Sequence, residues 1–127
     1  LGLHANYSYI SKNLFKNLGG IDDIALNAPL HKLSVGAKYR FVEQGLTVGA
    51  RIRYRDKYKM DSGVYVGDIE AKTVVDMDVA YDLPINIGDG TVTAFMNATN
   101  LFDTRKQEFI GAPEIGRLIS GGLTARF

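Results

Sequence analysis

The stretch Lys32-Leu33-Ser34-Val35-Gly36-Ala37-Lys38-Tyr39-Arg40-Phe41 decides the fold. Leu33, Val35, Ala37, Tyr39 and Phe41 share one parity, and Lys32, Ser34, Gly36, Lys38 and Arg40 share the other. Side chains of a strand leave alternate faces with a period of two, so this segment is a strand with one oily face and one ionic face. The pattern repeats downstream. Leu46, Val48, Ala50, Ile52 and Tyr54 oppose Thr47, Gly49, Arg51, Arg53 and Arg55, and Val75, Met77, Val79, Tyr81 and Leu83 oppose Asp76, Asp78, Ala80 and Asp82.

Alternation predicts six strands, at roughly Leu1–Ile10, His31–Phe41, Leu46–Asp56, Lys72–Leu83, Thr91–Asn100 and Arg117–Phe127. Each is ten to twelve residues long, against about 5–6 for a soluble strand and about 9–11 for a tilted strand crossing a bilayer. The connections alternate in length. Ser11–Leu30, Lys57–Ala71 and Leu101–Gly116 are long, whereas Val42–Gly45 and Pro84–Gly90 are short. Long, short, long, short, long is the antiparallel up-and-down meander of an outer-membrane barrel, with long loops outside the cell and short turns in the periplasm. On that assignment the apolar-face Tyr39, Phe41, Tyr81 and Phe127 fall at periplasmic ends and Tyr7, Tyr9 and Tyr54 at the opposite ends, with small aliphatic residues between. Rings that prefer the headgroup region produce such belts.

Bulk composition is less telling. With 127 residues, 46% apolar and 23% charged, the chain would pass as an ordinary soluble domain. The net charge of +1 gives no reason to expect a nucleic-acid partner. The absence of cysteine excludes disulfides and thiolate metal sites. No apolar run approaches the ~20 residues of a membrane-spanning helix, and a β-barrel needs none. The chain opens at Leu1 without methionine or signal peptide, and is read as a fragment or mature piece of something longer.

The ionic face supplies the candidate site residues. If Leu46 and Leu83 sit level, Arg51 faces Asp78 and Arg53 faces Asp76, cross-strand pairs contributing roughly 0.2–1 kcal/mol each. Arg55 continues the arginine row. Phe95 points to the same side, opposite small Ala80, so something is expected to pack on its ring. These six residues are the candidates for contact with a plug or substrate path. His4 and His31 are read as polar-side strand residues, not metal ligands. Asp22-Asp23, which could serve calcium, is read as loop charge, for no ligand spacing surrounds it. Gly88-Asp89-Gly90 is a turn signal. Asn6-Tyr7-Ser8 and Asn97-Ala98-Thr99 match the glycosylation pattern but fall inside strands. No nucleophile, base and orienter set is present, so an enzyme is not expected, and neither metal nor cofactor.

The stretch Asn97-Ala98-Thr99-Asn100-Leu101-Phe102-Asp103-Thr104-Arg105-Lys106 resembles the "N-x-x-N-L-F-D-x-x-Y" signature of TonB-dependent outer-membrane receptors, with lysine where tyrosine is common. Glu108 to Arg117 resembles the segment leading into that family's final strand, in a wording typical of Bacteroidetes-like bacteria. Asn27-Ala28-Pro29-Leu30-His31-Lys32 is similar to the "N-A-P-x-H-K" that opens an earlier strand, and Leu123 to Phe127 to the C-terminal signal read by the barrel assembly machinery.

The resemblance implies a barrel of about 22 strands with a plugged lumen, in the outer membrane of a Gram-negative bacterium. Such a receptor imports a scarce large ligand such as an iron chelate, cobalamin or a glycan, energised through TonB. Residues 1–127 would be its partial C-terminal barrel domain, the final six strands, with the plug domain and TonB-contacting box elsewhere. Expected partners are outer-membrane lipid, the rest of the barrel and its plug, TonB through the missing N-terminal region, the assembly machinery at Phe127, and the imported ligand. Two rivals are a passive porin or structural barrel, and a soluble β-barrel lipid carrier with its apolar face turned inward.

Overall fold

Alternating strands joined by short turns can satisfy their backbone groups only by pairing with their neighbours, and they do so here in sequence order. The computed structural model describes residues 1–16, 19–20, 24–87 and 90–127. Among the described residues the chain is all-β and contains no helix. The strands are β1 (Gly2–Tyr9), β2 (Leu14–Phe15), β3 (Ile24–Ala25), β4 (His31–Phe41), β5 (Leu46–Arg55), β6 (Tyr58–Asp61), β7 (Val66–Ile69), β8 (Lys72–Ile87), β9 (Gly90–Thr99) and β10 (Leu118–Arg126). The long strands form one antiparallel six-stranded sheet in the order β1-β4-β5-β8-β9-β10.

The six expected long strands are therefore present, within a few residues of their predicted limits. Two corrections concern the connections. Two long ones contain small hairpins, β2-β3 and β6-β7, where plain loop was expected. The connection read as Pro84–Gly90 is shorter, because β8 continues to Ile87 and pairs Ile87 with Gly90. An irregularity between Leu83 and Ile87 accommodates this, and Pro84 lies in it, where a residue lacking an N–H is tolerated. Gly88 and Asp89 of the turn signal lie outside the described residues.

Register carries the parity of each strand across the whole sheet. Leu3, Ala37, Ala50, Met77, Ala98 and Ile119 form one row on the apolar face. Followed strand by strand, that face carries no Asp, Glu, Lys or Arg among the described residues of the sheet. Tyr7, Leu33 and Tyr54 are level near the long-loop end, and Phe41, Leu46 and Tyr81 near the short-turn end, so the two aromatic groups are rows in space. Tyr39 and Phe41 meet edge to face with centroids 4.5 Å apart.

Among the described residues no second layer covers this face. Val35 is 45% exposed, Ile52 51% and Leu123 70%. Six strands about 4.8 Å apart and about nine residues long present roughly 800 Å², beyond the few hundred that soluble monomers usually leave open. The polar face is the concave one: a cavity of about 720 Å³ is lined by Gly2, Lys38, Thr47, Ala80, Thr93 and Thr124, one residue from each long strand. Of the buried apolar residues, Tyr58, Ile69 and Ala112 belong to the long connections and their hairpin, and Val74, Val92 and Ala98 to strands of the sheet.

Candidate functional site

The concave face is organised by ion pairs and by the glycines that make room for them. The expected level pairing of Leu46 with Leu83 is corrected to Leu46 with Tyr81, so Arg51 is opposite Asp76 and Asp78 is opposite Gly49. A shift of two residues preserves every facing direction and changes only partners. Asp78 consequently pairs not with Arg51 but with Lys38, at 3.1 Å. Lys38 and Asp78 are both register partners of Gly49, and the pair spans β5 above it. A Cβ on Gly49 would collide with Asp78 Oδ1.

The same construction recurs one strand over. His4 and Arg51 are both opposite Gly36, and Arg51 Nε donates to His4 Nε2 at 3.3 Å. A Cβ on Gly36 would collide with the His4 imidazole. Arg53 does pair with Asp76, diagonally, at 2.9 Å. Arg40 reaches Asp82 at 3.2 Å, and Thr93 Oγ1 donates to the other oxygen of Asp82 at 2.8 Å. Such exposed pairs contribute roughly 0.2–1 kcal/mol each; their consequence is a fixed charge pattern on the concave wall. Phe95 is opposite Ala80 and Gly122, and its ring lies 3.0 Å from where a Gly122 Cβ would be. The ring thus covers glycine backbone from the concave side while staying 37% exposed.

His31 is corrected from the polar face to the apolar one. It is the register partner of Tyr9, shares the parity of Leu33, and stacks on Tyr9 and Tyr7 at centroid distances of 5.1 and 6.1 Å. The Tyr7 hydroxyl is hydrogen-bonded to His31 Nδ1 at 2.8 Å. His31 thus joins the aromatic row near the long-loop end, and His4 and His31 lie on opposite faces, unable to share an ion. Asp22-Asp23 lies outside the described residues.

Arg55 differs from the other arginines. It sits at the end of β5 with its side chain 13% exposed, and Lys72, at the start of β8, is 7% exposed. Both hold the connection between β9 and β10. Arg55 Nη1 donates to Glu108 Oε2 at 3.0 Å and to the Glu108 carbonyl at 3.0 Å. Its Nη2 donates to the carbonyls of Glu70 and Gln107, while its buried Nε has no partner among the described residues. Lys72 Nζ donates to Glu108 Oε1 at 2.8 Å and to the Lys106 carbonyl at 3.1 Å. The Tyr58 hydroxyl donates to the Glu108 carbonyl at 2.7 Å. Residues 106–108 are thus a strap on the polar side. Burial works against the Glu108 charge, but the Lys72 hydrogen bond and the positive charges of Arg55, Lys72 and Arg53 prevail and hold its carboxyl below the ordinary value.

The base of the same connection is a second knot. Asn100 is 4% exposed and left-handed at φ 55°. Its Nδ2 donates to the carbonyls of Thr104 and Ile115, and its Oδ1 accepts from Thr104 N. Asp103, also left-handed, accepts from Arg117 N at 2.7 Å and Arg105 Nε at 3.0 Å. The Arg117 backbone bond, then the Arg105 bond, lower its carboxyl below the ordinary value. Asn and Asp are the residues that tolerate this backbone and bond locally, so the Asn100-Leu101-Phe102-Asp103 stretch closes the loop's base. Lys72 and Glu108 had no sequence signal: each is a lone charge near a strand end or in a loop.

No family model, curated protein or solved structure matches the chain.

Proposed function

We propose that this chain is the C-terminal wall of a TonB-dependent outer-membrane receptor, non-enzymatic, taking part in energised import of a large scarce ligand. One observation carries most of the support: a six-stranded sheet with an uncharged convex face, banded by aromatic rows, and a concave face bearing crossed ion pairs. A soluble lipid carrier would turn the apolar face inward around its ligand, whereas here the hollow that spans all six long strands is lined by polar-side residues and a smaller one, about 450 Å³, lies on the apolar face among Leu3, Ala5, Val35, Ala37, Ala50 and Ile52. The two aromatic rows are eight residues apart on β5, from Leu46 to Tyr54; that is about 27 Å along the strand, or about 20 Å along the normal at a tilt of about 40°. Tyr9 and Phe127 lie beyond those rows and extend the band toward the roughly 25 Å of such barrels.

On this proposal the concave face is the lumen, with Arg51, Arg53, Asp76, Asp78 and Phe95 toward a plug or substrate path and Arg55 holding a loop. Phe127 is the end read by the assembly machinery. The importing activity would be tested on the complete protein, by ligand uptake in cells with and without TonB and with the proton-motive force collapsed. Uptake that stops under both treatments is expected; uptake indifferent to them would mean a passive porin.

A further inference from the structure

We infer that Arg55 and Lys72 form an anion site that the chain's own Glu108 fills, and that a carboxylate-bearing ligand entering from the long-loop end takes its place. The site is built before any ligand comes. A lysine with 7% of its side chain exposed and an arginine with 13% need a counter-charge, since buried unpaired cations are costly. Among the described residues the carboxylate paired with both is Glu108. That carboxylate is not itself buried: Glu108 is 52% exposed and reaches in from the strap, so rotating its side chain outward opens the two cations to solvent.

The surrounding groups define what fits. Arg55 Nη1 and Lys72 Nζ each grip a different oxygen of one carboxylate, at 3.0 and 2.8 Å, so two donors converge on a planar two-oxygen anion. Arg55 is held in place independently by the Glu70 and Gln107 carbonyls, and Tyr58 holds the Glu108 backbone. The side chain can therefore leave while its backbone and the cations stay. The Glu70 carboxylate is engaged by Lys106 Nζ at 3.0 Å, so it is not free to replace Glu108.

An intramolecular carboxylate competes at an effective concentration on the order of millimolar or more, so removing its charge tightens binding of an external anion by about tenfold or more. The test uses the complete protein in detergent, with citrate as probe and sodium chloride matched for ionic strength. Calorimetry on E108Q is expected to show citrate binding at least about tenfold tighter than wild type, and R55M or K72M added to E108Q to abolish the gain. Trypsin supplies a readout independent of affinity: the strap's backbone stays held by Arg55, Lys72 and Tyr58, so cleavage after Arg105 and Lys106 in E108Q is expected to match wild type, and a marked rise would mean that Glu108 holds the strap rather than fills a ligand site. Equal citrate affinity in wild type and E108Q, or a gain that survives both R55M and K72M, would overturn the site. Binding is read without transport, so failure here is distinguishable from failure of the importer proposal.

Discussion

Gly36, Gly49 and Gly45 hold their positions for different reasons. Gly36 and Gly49 have no unusual backbone, but each lies beneath a side chain from a neighbouring strand. Gly45 has φ 62° in the turn between β4 and β5, with Asp82 packed on it. In Gly49→Ala the Asp78 carboxylate can swing away, sacrificing its exposed pair with Lys38, so a loss below about 1 kcal/mol is expected. In Gly45→Ala nothing comparable can yield, and about 1–2 kcal/mol is expected from the left-handed backbone. Urea unfolding in micelles would compare them, and equal costs would contradict the distinction. Asn100 combines both demands, a left-handed backbone with a buried amide that closes the loop. Asn100→Ala should cost about 2–4 kcal/mol by orphaning Thr104 and Ile115 backbone groups; Asn100→Gly should recover only the backbone share, about 1 kcal/mol. A glycine variant as stable as wild type would mean that the amide bonds contribute nothing. The asparagine was visible in sequence as a turn former, but its grip on Ile115, fifteen residues away, depends on a fold that no local pattern encodes.

At the scale of elements, alternation made the six long strands legible because one face differs so sharply from the other. The β6-β7 hairpin was missed although Asp61-Ser62-Gly63 carries a turn signal, with Gly63 at φ 79°, because its strands have only four residues each. The register error came from levelling Leu46 with Leu83, when β8 runs past Pro84 through an irregularity. Parity survived, so the six candidate site residues stayed on the expected face; Arg51 and Asp78 changed partners, whereas Arg53 still meets Asp76 and Phe95 still lies opposite Ala80. The strap that Arg55 and Lys72 hold was invisible, since pairing across 53 and 36 residues leaves no periodic trace. It has a pH signature. Glu108 and Asp103 are held below their ordinary values of 4.5 and 3.8, so each contribution is complete above that value and lost as pH falls through the lowered one. Hydrogen exchange at the Arg117 amide, which donates to Asp103, should rise relative to β9 amides below about pH 4 and stay flat from about pH 6 to 8. Loosening that begins near neutrality would exclude these carboxylates as its cause.

For the molecule as a whole, the long connections are tied to one another while the sheet edges are left open. Asn27 exchanges hydrogen bonds with the backbone of Asp61 at 2.7 and 3.0 Å, linking the first long connection to the β6-β7 hairpin. Met60 Sδ accepts from Ile110 N at 3.3 Å, linking that hairpin to the last. By contrast β1 and β10 each have one neighbour, and unpaired edges are templates for association. Residues 1–127 alone in plain buffer should therefore aggregate; a monodisperse β-rich monomer in sedimentation would oppose the proposed membrane setting. A sharper separation comes from two substitutions on adjacent register rows. Met77 lies mid-sheet on the uncharged face and is 38% exposed, so in water Met77→Lys would cost little. Asn97 lies on the concave face opposite Asp78, where a lysine gains a carboxylate neighbour. In a bilayer the first change puts an ammonium near the hydrocarbon midplane, at about 2–4 kcal/mol, while the second remains close to neutral. Folding of the complete protein into vesicles, followed by urea titration, should show that asymmetry. Equal tolerance of the two lysines would mean that the convex face does not meet lipid.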